Sequence, residues 1–180
     1  MIQIEYFWAT LILLFAVIGA VRGLAKELGT AAILALTLFA LWFGWSQAGR
    51  MIIDLVQRGP FSDLTVAEIK ALYYIGAVVV VAFIAYEGIV LAFPIKLKGL
   101  LKNIFGFFAG LLNGYLVIGT VWNVVAQARY FWPKLEIVSA PFSDVHNTII
   151  QFLPVSLMEE FSPFPMLLLG MLLLLAIIIK

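Results

Sequence analysis

Apolar residues run through this chain in long blocks separated by short polar breaks. From Tyr6 to Val21 only Thr10 interrupts, and from Leu28 to Trp45 only Thr30 and Thr37 do. Further blocks occupy 71–93, 104–126 and 166–179. A membrane-spanning helix needs about 20 apolar residues, which predicts spans over about 6–22, 28–45, 71–93 and 104–126. The first is lengthened by a snorkelling Arg22 and the third is closed by Pro94. The last block is short and spans only if Phe164 and Pro165 are counted and Lys180 snorkels, giving a fifth span over 164–179.

Two amphipathic patterns stand out beside these blocks. In "SQAGRMIIDLVQRGP", Met51, Ile52, Leu55 and Val56 share one side and Arg50, Asp54, Gln57 and Arg58 the other. That predicts an interfacial helix over about 47–58, stopped at Gly59-Pro60. Thr65 followed three residues on by Glu68 predicts a capping box. It starts the third helix at Val66, so that helix is about 42 Å long out to Phe93. The segment 127–163 is broken by Pro133, Pro141, Pro154 and Pro163. It is expected at the interface, with a short helix after Ser143 that turns Val145, Ile149, Ile150 and Phe152 to the membrane and with Tyr130, Phe131 and Trp132 in the aromatic belt.

Composition then fixes the class. Of 180 residues, 64% are hydrophobic and 12% charged, whereas soluble domains are about 25% charged. The expected fold is an all-α polytopic membrane helix bundle forming one domain over 1–180, with lipid as its main partner. Net charge is +1, which gives no sign of nucleic-acid binding. The absence of cysteine excludes disulfides and thiolate chemistry, and a single histidine, His146, excludes a multi-histidine metal site. No catalytic constellation is evident and no cofactor is expected. His146 reads as a hydrogen-bonded helix residue, or as a ligand to a pigment or haem inside a larger assembly.

Short-loop cations set the expected orientation. Arg22 and Lys26 lie in one such loop and Lys96, Lys98 and Lys102 in another, the latter without an acid. Both are expected in the cytoplasm, with the N-terminus outside.

Inside the spans, Gly106, Gly110 and Gly114 recur every four residues and form a smooth stripe for close helix packing. Gly19 and Gly23 are the expected mate within the chain; the alternative is a face for another chain in a homo-oligomer or hetero-complex. Glu87 is the ionisable group deepest in an expected span. An intramembrane carboxylate is costly and is paired, protonated or hydrated. It is expected either to form a structural ion pair with Arg22 or Lys26, or to mark a proton or ion site.

Glu5-Tyr6, then Arg22-Gly23 with Lys26-Glu27, a short basic loop and the stripe Gly106/Gly110/Gly114 occur here in an order that resembles the colicin V production protein (CvpA-like) family over about 1–152. The resemblance implies a small bacterial inner-membrane protein with four spans and a polar tail, linked to colicin export, envelope homeostasis or stress tolerance without an agreed activity. It supplies no catalytic residues. Asn113 stands where the family often has arginine, and the apolar segment from Met166 is a departure. Three readings result: a non-enzymatic scaffold or helper, an accessory subunit of a respiratory or photosynthetic complex, and a small transporter or channel using Glu87.

Overall fold

The computed structural model describes residues 4–87, 91–93, 97, 99–129 and 144–178. Among these, regular structure is helical throughout, with no strand. The elements are α1 (Ile4–Arg22), α2 (Leu24–Gln57), α3 (Val66–Glu87), α4 (Gly99–Gly114), a π-helical turn (Tyr115–Gly119), α5 (Thr120–Gln127), α6 (Asp144–Gln151), α7 (Pro154–Glu160) and α8 (Phe164–Ile178). Four helical stretches are long and apolar enough to cross a membrane: α1, α2, α3 and the run Gly99–Gln127. They alternate in direction. Arg22, at the end of α1, meets the end of α3 at Ala85, while Trp8, near the start of α1, stacks on Trp122 of α5.

Four boundaries differ from the sequence expectation, the first being that α2 starts at Leu24 and not at Leu28. The stretch 47–58 is not a separate interfacial helix; it continues α2, which runs unbroken for 34 residues, about 51 Å. Nothing in Ser46-Gln47-Ala48-Gly49 removes a backbone donor. A glycine in a helix costs only about 1 kcal/mol, and the Ser46 hydroxyl bonds back to the Phe43 carbonyl within the helix at 2.7 Å. α3 ends at Glu87, short of Phe93, and Leu91–Phe93 is not helical. Its Phe93 N–H donates to the Ala25 carbonyl at 3.0 Å, so the segment lies along the first turns of α2. The fourth apolar run begins at Gly99 rather than Ile104. Pro94, Lys96, Lys98, Tyr130, Phe131, Trp132, Ser143 and Lys180 lie outside the described residues.

The start of α3 matches the expected capping box. The Glu68 carboxylate accepts from the Thr65 backbone N–H at 2.7 Å, and the Thr65 hydroxyl accepts from the Glu68 N–H at 3.3 Å. The main core joins Leu34, Leu38 and Leu41 of α2 to Ala71, Tyr74, Val78 and Ala82 of α3, and to Leu116, Val117 and Val124. α7 adds Val155 and Met158 to this core. It is therefore packed into the bundle end rather than laid over it. α6 turns His146 inward and leaves Val145 exposed.

α1 and α4 pack along the glycines. A methyl group at Gly19 would fall 2.6 Å from the Gly110 Cα, and one at Gly110 would fall 2.8 Å from the Gly19 Cα. One at Gly106 would meet the Gly23 Cα at 2.9 Å, and one at Gly114 the Ile12 carbonyl at 2.8 Å. The stripe thus faces α1 of its own chain, backbone against backbone. In lipid, association of helices relies on such close van der Waals packing, because the hydrophobic effect does not distinguish a neighbouring helix from an acyl chain. α8 packs along α2, with Gly170 against Leu36.

This seam predicts a clear contrast between glycines. Gly110→Val overpacks backbone against backbone and should destabilise the protein by about 1–3 kcal/mol. Gly76→Ala, where added atoms meet nothing within 4 Å, should instead stabilise the protein by up to about 1 kcal/mol, the helix-interior cost of a glycine. Thermal unfolding in detergent micelles measures both.

Candidate functional site

The α1–α2 corner is a single residue. Gly23 has φ 87 and ψ 158, a region open essentially to glycine alone. Its N–H still donates to the Gly19 carbonyl at 2.8 Å, and its own carbonyl receives the Glu27 N–H at 3.3 Å. The chain therefore leaves one helix and enters the next with no loop. The consequence falls on Glu27: what looks like loop sequence becomes the first turn of α2 and faces the bundle.

Glu27 is fully buried, at 0% exposure. Its Oε1 accepts from Arg22 Nη1 at 2.7 Å. Its Oε2 accepts from the Tyr86 hydroxyl at 2.9 Å and from Asn113 Nδ2 at 2.6 Å. Asn113 Nδ2 also donates to the Glu27 backbone carbonyl at 2.9 Å. Every hydrogen bond of the carboxyl is accepted, the pattern of an ionised carboxylate.

Arg22 is held from several sides. Its Nη2 donates to the Ala85 carbonyl at 3.2 Å and reaches the Tyr86 carbonyl at 3.5 Å, at the end of α3. Its Cζ lies 4.1 Å from the centre of the Tyr86 ring, a cation–π contact that strengthens where water is excluded. Phe15 meets the same ring edge-on, with centroids 5.5 Å apart. One ion pair thus links α1, α2, α3 and α4. Unpaired, a buried carboxylate would carry a large desolvation cost; here charge, hydroxyl and amide donors offset it.

The expected partner of Arg22 is corrected on this point. Glu87 is exposed at the last turn of α3, and the carboxylate that meets Arg22 is Glu27. Tyr86, one residue earlier, occupies the inward position. Lys26 is exposed and takes no part in the network. Lys102 is exposed as well, with its aliphatic chain packed over Gly23. A cavity of about 60 Å³ opens here between Arg22, Gly23, Leu24, Ala25, Leu97 and Lys102.

A second polar cluster closes the opposite end. Lys70 of α3 pairs with Glu159 of α7 and donates to Gln127 Oε1 at 3.2 Å. Gln127 Nε2 reaches Asn123 Oδ1 at 3.0 Å and Glu159 Oε2 at 3.2 Å. Asn123 donates to Ser156 Oγ at 2.6 Å and to the Ile150 carbonyl at 3.1 Å. The Tyr115 hydroxyl donates to the Phe152 carbonyl at 2.6 Å. Beside this cluster, Trp8 and Trp122 stack with ring centroids 5.9 Å apart, and His146 of α6 covers Trp122 at 5.8 Å. Burial pulls the His146 pKa below its ordinary value, and the Glu5 charge partly restores it. Among the described residues, no group of three or more histidine, cysteine or acidic side chains is placed to hold a metal ion.

Sequence reasoning missed Glu27, Tyr86 and the partner of Asn113. The available signal was the Arg-Gly pair itself: a glycine that closes the loop to one residue carries the acid four positions later into the helix. The network predicts a graded response to substitution. Glu27→Gln strips the charge facing a half-buried guanidinium and should cost about 3–5 kcal/mol. Tyr86→Phe removes one hydrogen bond to a charged group, about 1.5–3 kcal/mol. Glu87→Gln should stay within about 0.5 kcal/mol. Equal effects of the two glutamate changes in thermal unfolding would contradict the assignment.

Compared with family models, curated proteins and solved structures, the chain matches none, so its function is read from its own residues.

Proposed function

We infer that the chain is a non-enzymatic integral membrane protein of the CvpA-like type, a scaffold or helper for envelope, export or stress processes in the bacterial inner membrane. The observation that carries this reading is the use made of the intramembrane polar groups. Both oxygens of the Glu27 carboxylate are committed to neighbouring helices, and Asn113 is engaged by the same carboxylate. Thr30 and Thr37 hydroxyls return to their own helix at the Lys26 and Ile33 carbonyls. The Glu27 contacts fix helices relative to one another, and the two threonine hydroxyls are satisfied without a partner across the bundle. A transport reading based on Glu87 loses its footing, because that carboxylate lies outside the bundle's polar contacts.

The orientation that fits has the N-terminus outside and the Gly23 corner with Lys26 and Lys102 in the cytoplasm, by the positive-inside rule. α8 alone is short for a fifth span: its 15 residues reach about 22 Å, against a hydrocarbon core of about 30 Å. It meets α7 at a bend of 118°, which turns α7 back instead of lengthening the span, so the pair fits a broken span or a re-entrant segment. α8 also supports a second reading, an accessory subunit of a larger complex. While one side packs on α2, Leu168, Met171, Leu172, Leu175 and Ile178 are exposed and available to a neighbouring helix or to lipid.

Native mass spectrometry after mild extraction distinguishes these readings. A scaffold or helper should appear as small, substoichiometric assemblies with other membrane proteins, and an accessory subunit as one stoichiometric large complex. A strictly monomeric protein that also drives ion flux in proteoliposomes would overturn both.

A further inference from the structure

The Gly23 corner lies at the boundary of the hydrocarbon. α1 has 19 residues and ends at Arg22; its length of about 28 Å matches a hydrocarbon core of about 30 Å. The cavity bounded by Arg22, Gly23 and Lys102 therefore opens at headgroup level. A second, shallow groove of about 270 Å³ is lined by Ala20, Asn103, Ile104, Phe107 and Phe108, and the surface it offers is apolar. α1 and α4 run antiparallel, with Gly23 beside Gly106 and Gly19 beside Gly110. Ala20 thus stands about one turn deeper than Gly23, and Phe108 about 9 Å deeper than Lys102. The groove carries on from the level of the cavity into the apolar layer.

Charge at this end is weighted to one sign. Arg22 and Glu27 neutralise each other. Lys26 and Lys102 are exposed, and the Lys102 chain lies over Gly23 along the cavity. The sequence joining α3 to α4 adds Lys96 and Lys98 and no acid, while Glu87, exposed at the end of α3, opposes them. Basic pockets between helices at the membrane surface attract anionic headgroups. A free anion would use the cavity alone. A cavity edged by cations that continues as an apolar groove suits a molecule with a charged head and an acyl chain.

We propose that the Gly23 cavity and the α1–α4 groove together bind one anionic phospholipid. Lys102 and Lys26 hold the headgroup phosphate through charge-assisted hydrogen bonds, and one acyl chain lies against Ala20, Ile104, Phe107 and Phe108. The two halves of the site contribute differently. The lysines select for net negative charge, because a zwitterionic lipid brings its own ammonium group to them. The groove selects for a lipid over a soluble phosphate, since it adds van der Waals contact with the chain and none with a headgroup alone.

Native mass spectrometry of the full chain in mild detergent, titrated with dioleoyl phosphatidylglycerol or dioleoyl phosphatidylcholine, tests the site. Phosphatidylglycerol should be retained in preference to phosphatidylcholine. Lys26→Gln and Lys102→Gln should each weaken phosphatidylglycerol binding by about fivefold and leave phosphatidylcholine unchanged. Arg58→Gln, exposed just beyond the far end of α2, should alter neither. Ala20→Phe, which fills the groove, should weaken both lipids. Equal retention of the two lipids, or phosphatidylglycerol affinity unchanged in both lysine variants, would overturn the proposal. Full competition by equimolar sn-glycerol 3-phosphate would overturn it too, because a headgroup alone would then suffice. Should Ala20→Phe fail to fold, Ile104→Gln at the exposed rim of the groove takes its place, and undiminished lipid retention in that variant refutes the acyl-chain contact.

Discussion

A carboxylate cannot be carried into an apolar helix bundle without donors to meet it, and that constraint organises one end of this protein. Glu27 has no contact with solvent, and its donors come from three places in the chain: Arg22, Tyr86 and Asn113. Each sits at the height along its own helix that the carboxylate requires. The relative shifts of α1, α2, α3 and α4 are therefore coupled through one side chain. Ion pairs of this kind are often no more stabilising than apolar packing of equal volume. What this one supplies is register: sliding α1 or α2 by a turn would break the ion pair, and sliding α3 or α4 would take away the Tyr86 or Asn113 donor.

Gly23 makes the arrangement possible, and the glycine seam keeps it close. With φ at 87, Gly23 turns the chain so that Arg22 can reach forward to Glu27. The same residue lets Gly106 approach, so the corner and the start of the seam share one smooth surface. α4 and its continuation must then satisfy two demands. The glycines face α1 and Asn113 faces Glu27, yet ten residues later Asn123 must reach α6 and α7. The π turn at Tyr115–Gly119 lies between the two asparagines. It inserts roughly one residue into the helical count and rotates α5 by about 100° relative to α4. The irregularity thus separates the phase of the seam from that of the outer cluster.

How much of this could be read from the sequence depended on how local the cause was. The apolar blocks, the Thr65–Glu68 capping box and the four-residue glycine spacing are local, and each leaves a periodic or positional trace. The interfacial helix expected over 47–58 failed for a related reason. An amphipathic pattern reports which side of a helix meets water, not whether the helix has been interrupted, and Ser46-Gln47-Ala48-Gly49 contains no true breaker. The ion pair failed for a deeper reason. Choosing between Glu27 and Glu87 by depth in an apolar run assumes that polar breaks are loops. A one-residue corner makes Glu27 helical and inward, while the adjacent Tyr86 takes the inward position on α3 and turns Glu87 out. Tyr86 and Asn113 lie 59 and 86 residues from Glu27, and no spacing rule connects them.

The two ends of the bundle are also different in kind. At the Gly23 end, one buried carboxylate is enclosed by donors from α1, α3 and α4, and the backbones around it touch. At the Lys70 end, the ion pair is partly exposed, the amides of Asn123 and Gln127 form a relay, and the covering helices are short. Glu159 is 40% exposed, and partly solvated pairs contribute little, so α7 is held mainly by Val155 and Met158 in the core. α6 is held by Ile149 and Ile150 on the Trp8–Trp122–Leu153 cluster, by His146 over Trp122 and by the Asn123 bond to the Ile150 carbonyl. Local opening of a bundle is resisted most where backbones are in direct contact, which sets the α1–α4 seam, glycine against glycine, at the resistant end.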